Sequence, residues 1–386
     1  MHMNNIPLAL YIHFPWCEKK CPYCDFNSHV LDLNASTDLE PELEDAYIDQ
    51  LLFDLDRDIE DFQIEAPISS IFMGGGTPSL VSPQAIARLL EGISQRLSIN
   101  PKAECTLEAN PGSSDQVKFQ GYRAAGINRL SLGIQSFSDT KLAALGRVHS
   151  GAEALAAVES ARQAGFDNIN LDLIHGLPGQ TAQDALSDLE RAHTLFPEHL
   201  SWYQLTIEPN TVFFNRTPSL PTESDLDQIS TEGWSWLNDH GYGQYEVSAF
   251  SRGNHYQSQH NLNYWRFGDY IGLGAGAHGK VTQQQPDFVI TRTRKSRIPN
   301  DYLKAAKRIT KSVEAADLRL EFLMNALRLN EGFLLSDFSQ RTGLASSELA
   351  DFIASGLAQG LLIKEDQKLR PTQRGLQFLD SLLLLA

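Results

Sequence analysis

Cysteine is scarce in this chain, with four among 386 residues. That is too few for a disulfide framework in a protein of this length. Positive charge is also short: 32 Lys and Arg against 48 Asp and Glu leave a formal charge of -16. This argues against a nucleic-acid partner gripped through its phosphates, which needs clustered Lys and Arg. Long apolar runs are missing, and none approaches the roughly 20 residues of a membrane span. The opening "MHMNNIPLALYIHFPWC" has no basic n-region and no small-residue cleavage site, so no signal peptide is expected. These absences favour a reducing, cytoplasmic setting, where grouped cysteines read as metal ligands or catalytic thiols. The hydrophobic content of 42 % is ordinary for a globular protein with a sizeable core. The length suggests two domains, or one large domain with an appendage.

Three of the four cysteines crowd into "CEKKCPYCDF", as Cys17, Cys21 and Cys24 in a C-x-x-x-C-x-x-C spacing. Three thiolates on one tight loop suit an iron–sulfur cube with one iron left for an outside ligand. Structural zinc asks for four ligands, usually as two pairs. Zinc and chance grouping are the competing readings. Cys105 stands alone in "ECTLEA" and reads as a buried small hydrophobe rather than a fourth ligand.

The first half of the chain has a strand–helix rhythm. Predicted strands are residues 8–14, 69–73, 104–109, 129–134, 168–174 and 201–207. Between them lie Ala- and Leu-rich segments with apolar residues at helical spacing, several opened by Ser, Asp or Pro and closed by Gly. Such alternation implies βα units on a parallel sheet, either an open doubly wound sheet or a partial barrel. From about 208 the rhythm fades and "TVFFNRTPSLPTESD" reads as a loop. From about 313, short helices and a hairpin in "LIKEDQKLRPT" suggest a small winged-helix-like α+β module. Its segment "SSELADFIASGLAQGL" holds no Lys or Arg, which speaks against DNA binding. Three regions follow: 1–230, 231–312 and 313–386.

Unusual polar or glycine-rich groups recur where predicted strands end: "GGGTP" from Gly74 to Pro78, Glu108, Gln135, Asp172 and Thr206. Ligands of parallel α/β proteins bind at the carboxyl ends of strands, so this placement is the main argument for an active site. Taken singly, each has a plainer reading. GGGTP could be only a turn, Glu108 and Asp172 caps or surface charges, and Arg147 a solvated helix-end charge.

The cysteine spacing, with Tyr23 before its last member, resembles the radical S-adenosylmethionine (SAM) superfamily. "YIHFPWCEKKCPYCDFNS", "FMGGGTPS", "LGIQSF", "GRVH", "NLDLIHGLPGQT" and "GLGAGAHG" resemble its coproporphyrinogen-III-oxidase-like group, over nearly the whole chain. The resemblance implies a partial (β/α)6 TIM-type barrel with the winged-helix-like module appended. It implies a [4Fe–4S] cluster on Cys17, Cys21 and Cys24, with SAM as the missing ligand, opened by reductive cleavage. It places Tyr11, Tyr23 and the backbone of Gly75, Gly76 and Thr77 along SAM. Glu108 and Arg147 would meet the amine and carboxylate, and Gln135 and Asp172 the ribose. Thr206 and His278 would face the cofactor.

Two departures from the oxidases stand out. Their motif carries a further cysteine where this chain has Phe26, and they have a longer N-terminal segment. Both match instead the haem-chaperone branch of the group. "HNLNYW", residues 260–265, matches the H-N-x-x-Y-W pattern of that branch, with His260, Asn261, Tyr264 and Trp265 implied at haem. His and Tyr are known axial ligands, and Trp offers a broad apolar face; His255, His260 and Tyr264 stay open as the ligand. The plainer reading is a loop whose His caps a helix and whose aromatics pack in the core. The resemblance implies delivery of haem to apo-haemoproteins, including membrane respiratory proteins, and is compatible with a homodimer. The alternative is an enzyme, an oxygen-independent coproporphyrinogen III oxidase or another radical SAM enzyme on a tetrapyrrole, with the oxidase reaction doubted because of Phe26.

Overall fold

The computed structural model describes residues 6–31, 39–113, 116–284 and 286–386. Thus the first two residues of the predicted helical segment 114–126, and the first five of the chain, lie outside the described residues. The strand–helix rhythm becomes β1 (Leu8–Phe14), α1 (Pro41–Phe62), β2 (Ile68–Gly75), α2 (Pro83–Ser94), β3 (Ile99–Ala109) and α3 (Gln116–Ala125). It continues through β4 (Arg129–Gln135), α4 (Asp139–Ala144), α5 (Gly151–Gln163), β5 (Ile169–His175), α6 (Ala182–Thr194) and β6 (His199–Gln204). Strands β1 to β6 lie side by side in chain order, each parallel to the next.

Local chemistry explains the helix starts. The Ser82 side chain accepts from the Ala85 N–H at the head of α2, with Pro83 in the first turn. Ser150 with Glu153 and Thr181 with Asp184 form reciprocal capping boxes on α5 and α6, each satisfying donors that a helix start otherwise orphans. On the sheet, alternation separates two faces. Leu8, Leu10, Ile12 and Phe14 join the core that also holds Tyr47, Ile48 and Leu51 of α1. Tyr11 points to the other face, where its ring lies near that of His260.

The second half departs from expectation. The predicted loop at 211–225 contains a helical turn, Val212–Asn215, capped by Thr211, and the start of α7 (Glu223–Asp239), capped by Thr222. Beyond it come β7 (Gly243–Glu246), β8 (Ala249–Ser251), α8 (Gln259–Trp265), β9 (Asp269–Leu273), β10 (His278–Gln283), β11 (Val289–Lys295), α9 (Pro299–Ala305) and β12 (Arg308–Ser312). β9 pairs parallel to β1 on the side away from β2. The result is a mixed twelve-stranded sheet of order β12-β11-β10-β9-β1-β2-β3-β4-β5-β6-β8-β7. No closed barrel forms among the described residues: β1 and β6 are not neighbours, and each is flanked by additional strands. The expected six-stranded partial barrel is therefore present as the centre of a wider open sheet.

The extension is tied to α1 by buried charge. Lys295 of β11 is fully buried and donates to Asp54 and Asp58, and Arg308 of β12 pairs with Asp58 and Asp61. The Tyr302 hydroxyl donates to Asp54 at 2.9 Å. The C-terminal segment folds as α10 (Ala315–Ala326), α11 (Leu335–Thr342) and α12 (Ala350–Ala358), with an antiparallel hairpin of residues Leu362–Glu365 and Lys368–Pro371. That is the winged-helix-like arrangement expected. Its core places the Phe322 ring edge-on to Phe333 and Phe338, and Phe267 and Ile290 of the extension join the same cluster.

Candidate functional site

The carboxyl ends of β1 to β6 open on a cavity of about 430 Å³. Cys17, Cys21 and Cys24 line it, all half-buried and none in a disulfide. The loop that carries them is held at its start by a two-residue pairing, Trp16 with His29 and Cys17 with Val30. A turn bond from the Cys24 N–H to the Cys21 carbonyl closes it further on. Burial pushes the Cys17 and Cys24 thiols above their ordinary range, with neighbouring cysteines adding to the shift. A bound metal would supply the opposite force. Among the described residues, no three His, Cys, Asp or Glu gather around the position of one metal ion. A cube asks less of its loop, since each thiolate binds a different iron and the ligands stand further apart. Free, loop-borne, half-buried thiols fit that demand.

The glycine run at the end of β2 sits against this loop because only glycine fits. A Cβ on Gly75 would stand 2.4 Å from the His13 ring, and one on Gly76 2.4 Å from the Trp16 carbonyl oxygen. The backbone approach this permits places the Gly76 N–H 2.7 Å from the Phe14 carbonyl and the Thr77 N–H 2.7 Å from that of Trp16. Next along the sheet, the Gly75 N–H donates to Glu108 at 3.2 Å. Glu108 is pushed up to about 8, first by burial and then by the carboxylate of Asp172. Asp172 is raised by burial too, although Asn170 and Ser131 donate to it. Gln135 ends β4 with φ at 68°, a left-handed conformation that costs a non-glycine residue energy and clusters at functional sites.

Arg147 reaches in from the segment after α4. Its Nη2 donates to Asn110 Oδ1 at 2.7 Å and to the Gly133 carbonyl at 2.9 Å, and Nη1 lies 3.7 Å from Cys21 Sγ. Its buried Nε has no partner among the described residues. An orphaned guanidinium N–H and a carboxyl of raised pKa on the walls of one cavity are what an amino-acid ligand would complete, its carboxylate on Arg147 and its ammonium on Glu108. The residues present therefore fit SAM as well as a cluster. Tyr23, Gly75, Gly76, Thr77, Glu108, Gln135, Arg147, Asp172 and Thr206 all line this one cavity with the three cysteines.

Two residues expected there do not line it. Tyr11 and His278 line a second cavity, together with His13, Tyr264, Tyr270 and Arg297; Phe26, Gly75 and Glu108 belong to the walls of both. His278 opens β10, on the far side of β9 from the cluster loop, and this explains the difference. The Tyr11 hydroxyl donates to His13 Nδ1 at 2.9 Å, since His13 Nε2 must carry the proton it gives to the Asn27 carbonyl.

The H-N-x-x-Y-W segment is not a loop; it forms α8, whose N-cap Ser258 accepts from the Asn261 N–H. Its residues separate. His260 is buried, with Nδ1 3.3 Å from the Ser70 hydroxyl and Nε2 3.1 Å from that of Tyr264. Burial, then the charge of Arg129, lower its pKa to about 3. Tyr264 is the member that lines the second cavity. Trp265 packs beside Leu262 and Leu329, with the Arg328 guanidinium 4.3 Å from its ring, and Asn261 lines neither cavity. His255 sits in an exposed turn before the helix. Cys105 is buried on β3 with its thiol pushed up to about 12, as a small hydrophobe would be.

Four contributors were missed in the sequence. Asn110 bridges Thr77 and Arg147, Ser131 and Asn170 orient Asp172, and His13 buttresses Gly75. Asn110 lies inside "EANP" and could have been found from that setting. Ser131 and His13 carry no local signal.

Fold and site together define an α/β protein with three free thiols grouped at the carboxyl ends of parallel strands. The radical SAM superfamily profile matches residues 11–192, and that of the HemN C-terminal domain matches residues 313–378. The chain is 47 % identical over 380 residues to the Escherichia coli protein named heme chaperone HemW, covering 98 % of each chain. It is 46 % identical to its namesake in Haemophilus influenzae, over 98 % of this chain and 97 % of that one. A mouse protein, radical S-adenosyl methionine domain-containing protein 1, mitochondrial, is 36 % identical over 97 % of this chain and 86 % of its own length. The solved structure of the coproporphyrinogen III oxidase HemN from Escherichia coli superposes with a TM-score of 0.79 over 99 % of this chain and 90 % of its own, at 23 % identity; that likeness is one of fold. The chain belongs to the radical SAM superfamily, and within it to the HemW family.

Proposed function

We propose that this protein is a haem chaperone that carries a [4Fe–4S] cluster and SAM, binds haem, and delivers it to apo-haemoproteins. The observation that carries the reading is the shared wall between two cavities: Phe26, Gly75 and Glu108 separate the thiol-lined site from the one that Tyr264 enters. Cys17, Cys21 and Cys24 would hold the cluster, which supplies the electron for reductive chemistry on SAM. Arg147 and Glu108 would hold the amino-acid end of SAM, and Gln135 and Asp172 its ribose. Thr77 and Thr206 would line the site, and the apolar rims of Tyr23 and Phe26 would exclude water. On the haem side, Tyr264 faces the cavity and His260 positions its hydroxyl from behind. Tyr11 belongs to the same wall through His13, and Asn261 and Trp265 support the helix rather than the ligand.

Names of relatives at 42 to 47 % identity over the whole chain support the chaperone reading. The extra cysteine of the oxidases is replaced by Phe26, which is exposed at the junction. We extend the proposal to three regions, 1–230, 231–312 and 313–386, and to a cytoplasmic compartment with membrane-bound respiratory recipients. No helix among the described residues is long and apolar enough to cross a membrane, so such recipients would be met at their own surfaces. A homodimer is included in the proposal.

The test is anaerobic reconstitution of the full chain. Iron and sulfide should bind in a cubane ratio, and the electron-spin signal should change when SAM is added. Haem should give a Soret complex that Tyr264→Phe weakens, while Cys17→Ser abolishes the cluster signal. Formation of protoporphyrinogen IX from coproporphyrinogen III with SAM and reductant would replace the chaperone by the oxidase. A cluster signal indifferent to SAM would remove the cofactor assignment.

A further inference from the structure

The buried and half-buried cations of β10 to β12 are spoken for. Arg292 donates to Glu321 at 2.6 Å and to the Tyr270 hydroxyl at 2.9 Å. Lys280 pairs with Asp269, Lys295 with Asp54 and Asp58, and Arg308 with Asp58 and Asp61. In a chain with 48 acidic and 32 basic side chains, this is the expected outcome. Among the described residues, Arg294 and Arg297 have no such partner, and neither have the exposed Lys304, Lys307 and Lys311. Both arginines are exposed, and neither guanidinium makes a hydrogen bond or ion pair with any described residue; Arg297 is engaged only through its carbonyl, which accepts from Asn27 and His29.

Their placement is not scattered. Arg297 lines the second cavity, as does His278. His278 and Arg294 are direct partners on the antiparallel strands β10 and β11, so their side chains rise from one face at neighbouring positions. The His278 imidazole is held below its ordinary range by partial burial and then by Arg294, Arg297 and Arg292 in turn, which puts all three guanidinium groups in its field. Among the described residues lining this cavity Glu108 is the one carboxyl, and it belongs to the wall shared with the thiol site. Aromatic rings make much of the remaining lining: Phe26, exposed by 59 %, with Tyr11, Tyr264 and Tyr270, beside Asn27, Gly75 and Gly276. Aromatic walls, the unpaired guanidinium of Arg297 on the lining and that of Arg294 across the strand pair from His278 match a flat apolar body with carboxylates along one edge. The planar fork of Arg suits carboxylate in two-point contact, which a Lys cannot reproduce.

We propose that Arg294 and Arg297, with His278 between them, form a carboxylate-recognising rim that takes the propionate groups of a tetrapyrrole seated in the second cavity. The inference rests on the haem reading above and adds to it the side of the cavity at which the acidic edge lies. Arg294 and Arg297 are specificity residues in this scheme: they select a ligand with free carboxylates and fix its orientation, leaving the iron toward Tyr264.

The test titrates the full-length, reconstituted protein with haem and with haem dimethyl ester, read by the Soret band. Wild type should bind haem more tightly than the ester, and added salt should weaken haem binding more. The double variant Arg294→Ala/Arg297→Ala should lose roughly tenfold to a hundredfold in haem affinity and leave ester affinity unchanged. Arg294→Lys/Arg297→Lys should recover part of the loss at low salt. Arg370→Ala, at a half-buried arginine of the C-terminal hairpin, should leave haem and ester affinity unchanged. Melting temperatures of the variants should match wild type, because neither side chain contributes a bond to the fold. Equal wild-type affinity for haem and its ester, or unaltered haem binding in the alanine pair, overturns the rim while the chaperone reading stands. Absence of any haem binding by wild type overturns both.

Discussion

Glu108 carries two loads at the residue scale. It closes the glycine turn by accepting from Gly75, and it faces the cavity that would receive a cationic amine. Burial raises its pKa from 4.5 to about 8 in the ligand-free protein, so between those values the folded chain binds a proton that the unfolded chain releases. Stability then falls as pH rises through that window. Thermal melts of the ligand-free protein should therefore decline from pH 5 to pH 8, and Glu108→Gln should flatten the slope. A bound ammonium group reverses the balance and ionises the carboxyl. SAM binding near pH 7 should consequently release protons, seen by calorimetry in buffers of different ionisation enthalpy. Proton uptake, or none, would remove Glu108 from the amine.

The decisive joint at the element scale is the strand-end crossing of β1, β2 and the cysteine loop. Gly76 lets two amides of the glycine run reach the Phe14 and Trp16 carbonyls, so the thiols take their positions from β2 rather than from their own loop alone. Gly76→Ala puts a Cβ 2.4 Å from a backbone oxygen, and backbone cannot yield as a flexible side chain does. The cost is expected to be about 1–3 kcal/mol, with a several-fold drop in iron bound after reconstitution. Full iron incorporation by a Gly76→Ala protein would show that the loop positions its thiols unaided. At the same scale α8 divides its motif. One turn of helix separates His260 from Tyr264 and stacks them on one face, so only Tyr264 reaches the cavity and His260 is left in the core against Phe72, at 4.9 Å between ring centroids.

The whole molecule is a sheet built in two directions from one parallel centre. The antiparallel strands β10 and β11 carry His278 and Arg294, the segment after them brings Arg297 to the second cavity, and the C-terminal module packs on Phe267 and Ile290 of the extension. The Phe267 ring lies edge-on to Phe322 at 5.6 Å. Deleting residues 313–386 uncovers these side chains. The shortened protein is expected to aggregate or lose cooperative unfolding, rather than to yield a folded core with only the thiol-lined site intact. A monomeric, cooperatively melting fragment would show that the module is an independent appendage.

The central βα repeats were legible because they are local: an apolar run, a cap and a glycine stop announce each unit within some thirty residues, and the spacing of Cys17, Cys21 and Cys24 announces chemistry within eight. Glu108, Gln135, Arg147 and Asp172 could be marked for the same reason, each being attached to a recognisable strand end or short motif. What lay beyond reach depends on pairing between distant segments. β9, "DYIGL", has a glycine and a single β-branched residue, and becomes a strand because β1 offers an open edge more than 250 residues earlier. That pairing moves His278 out of the thiol-lined cavity and creates the second one. The separation of His260 from Tyr264 likewise follows from which helix face meets Ser70 and Phe72. Residue type and spacing specify which groups the chain owns; hydrogen-bond ladders between remote strands specify which of them share a space.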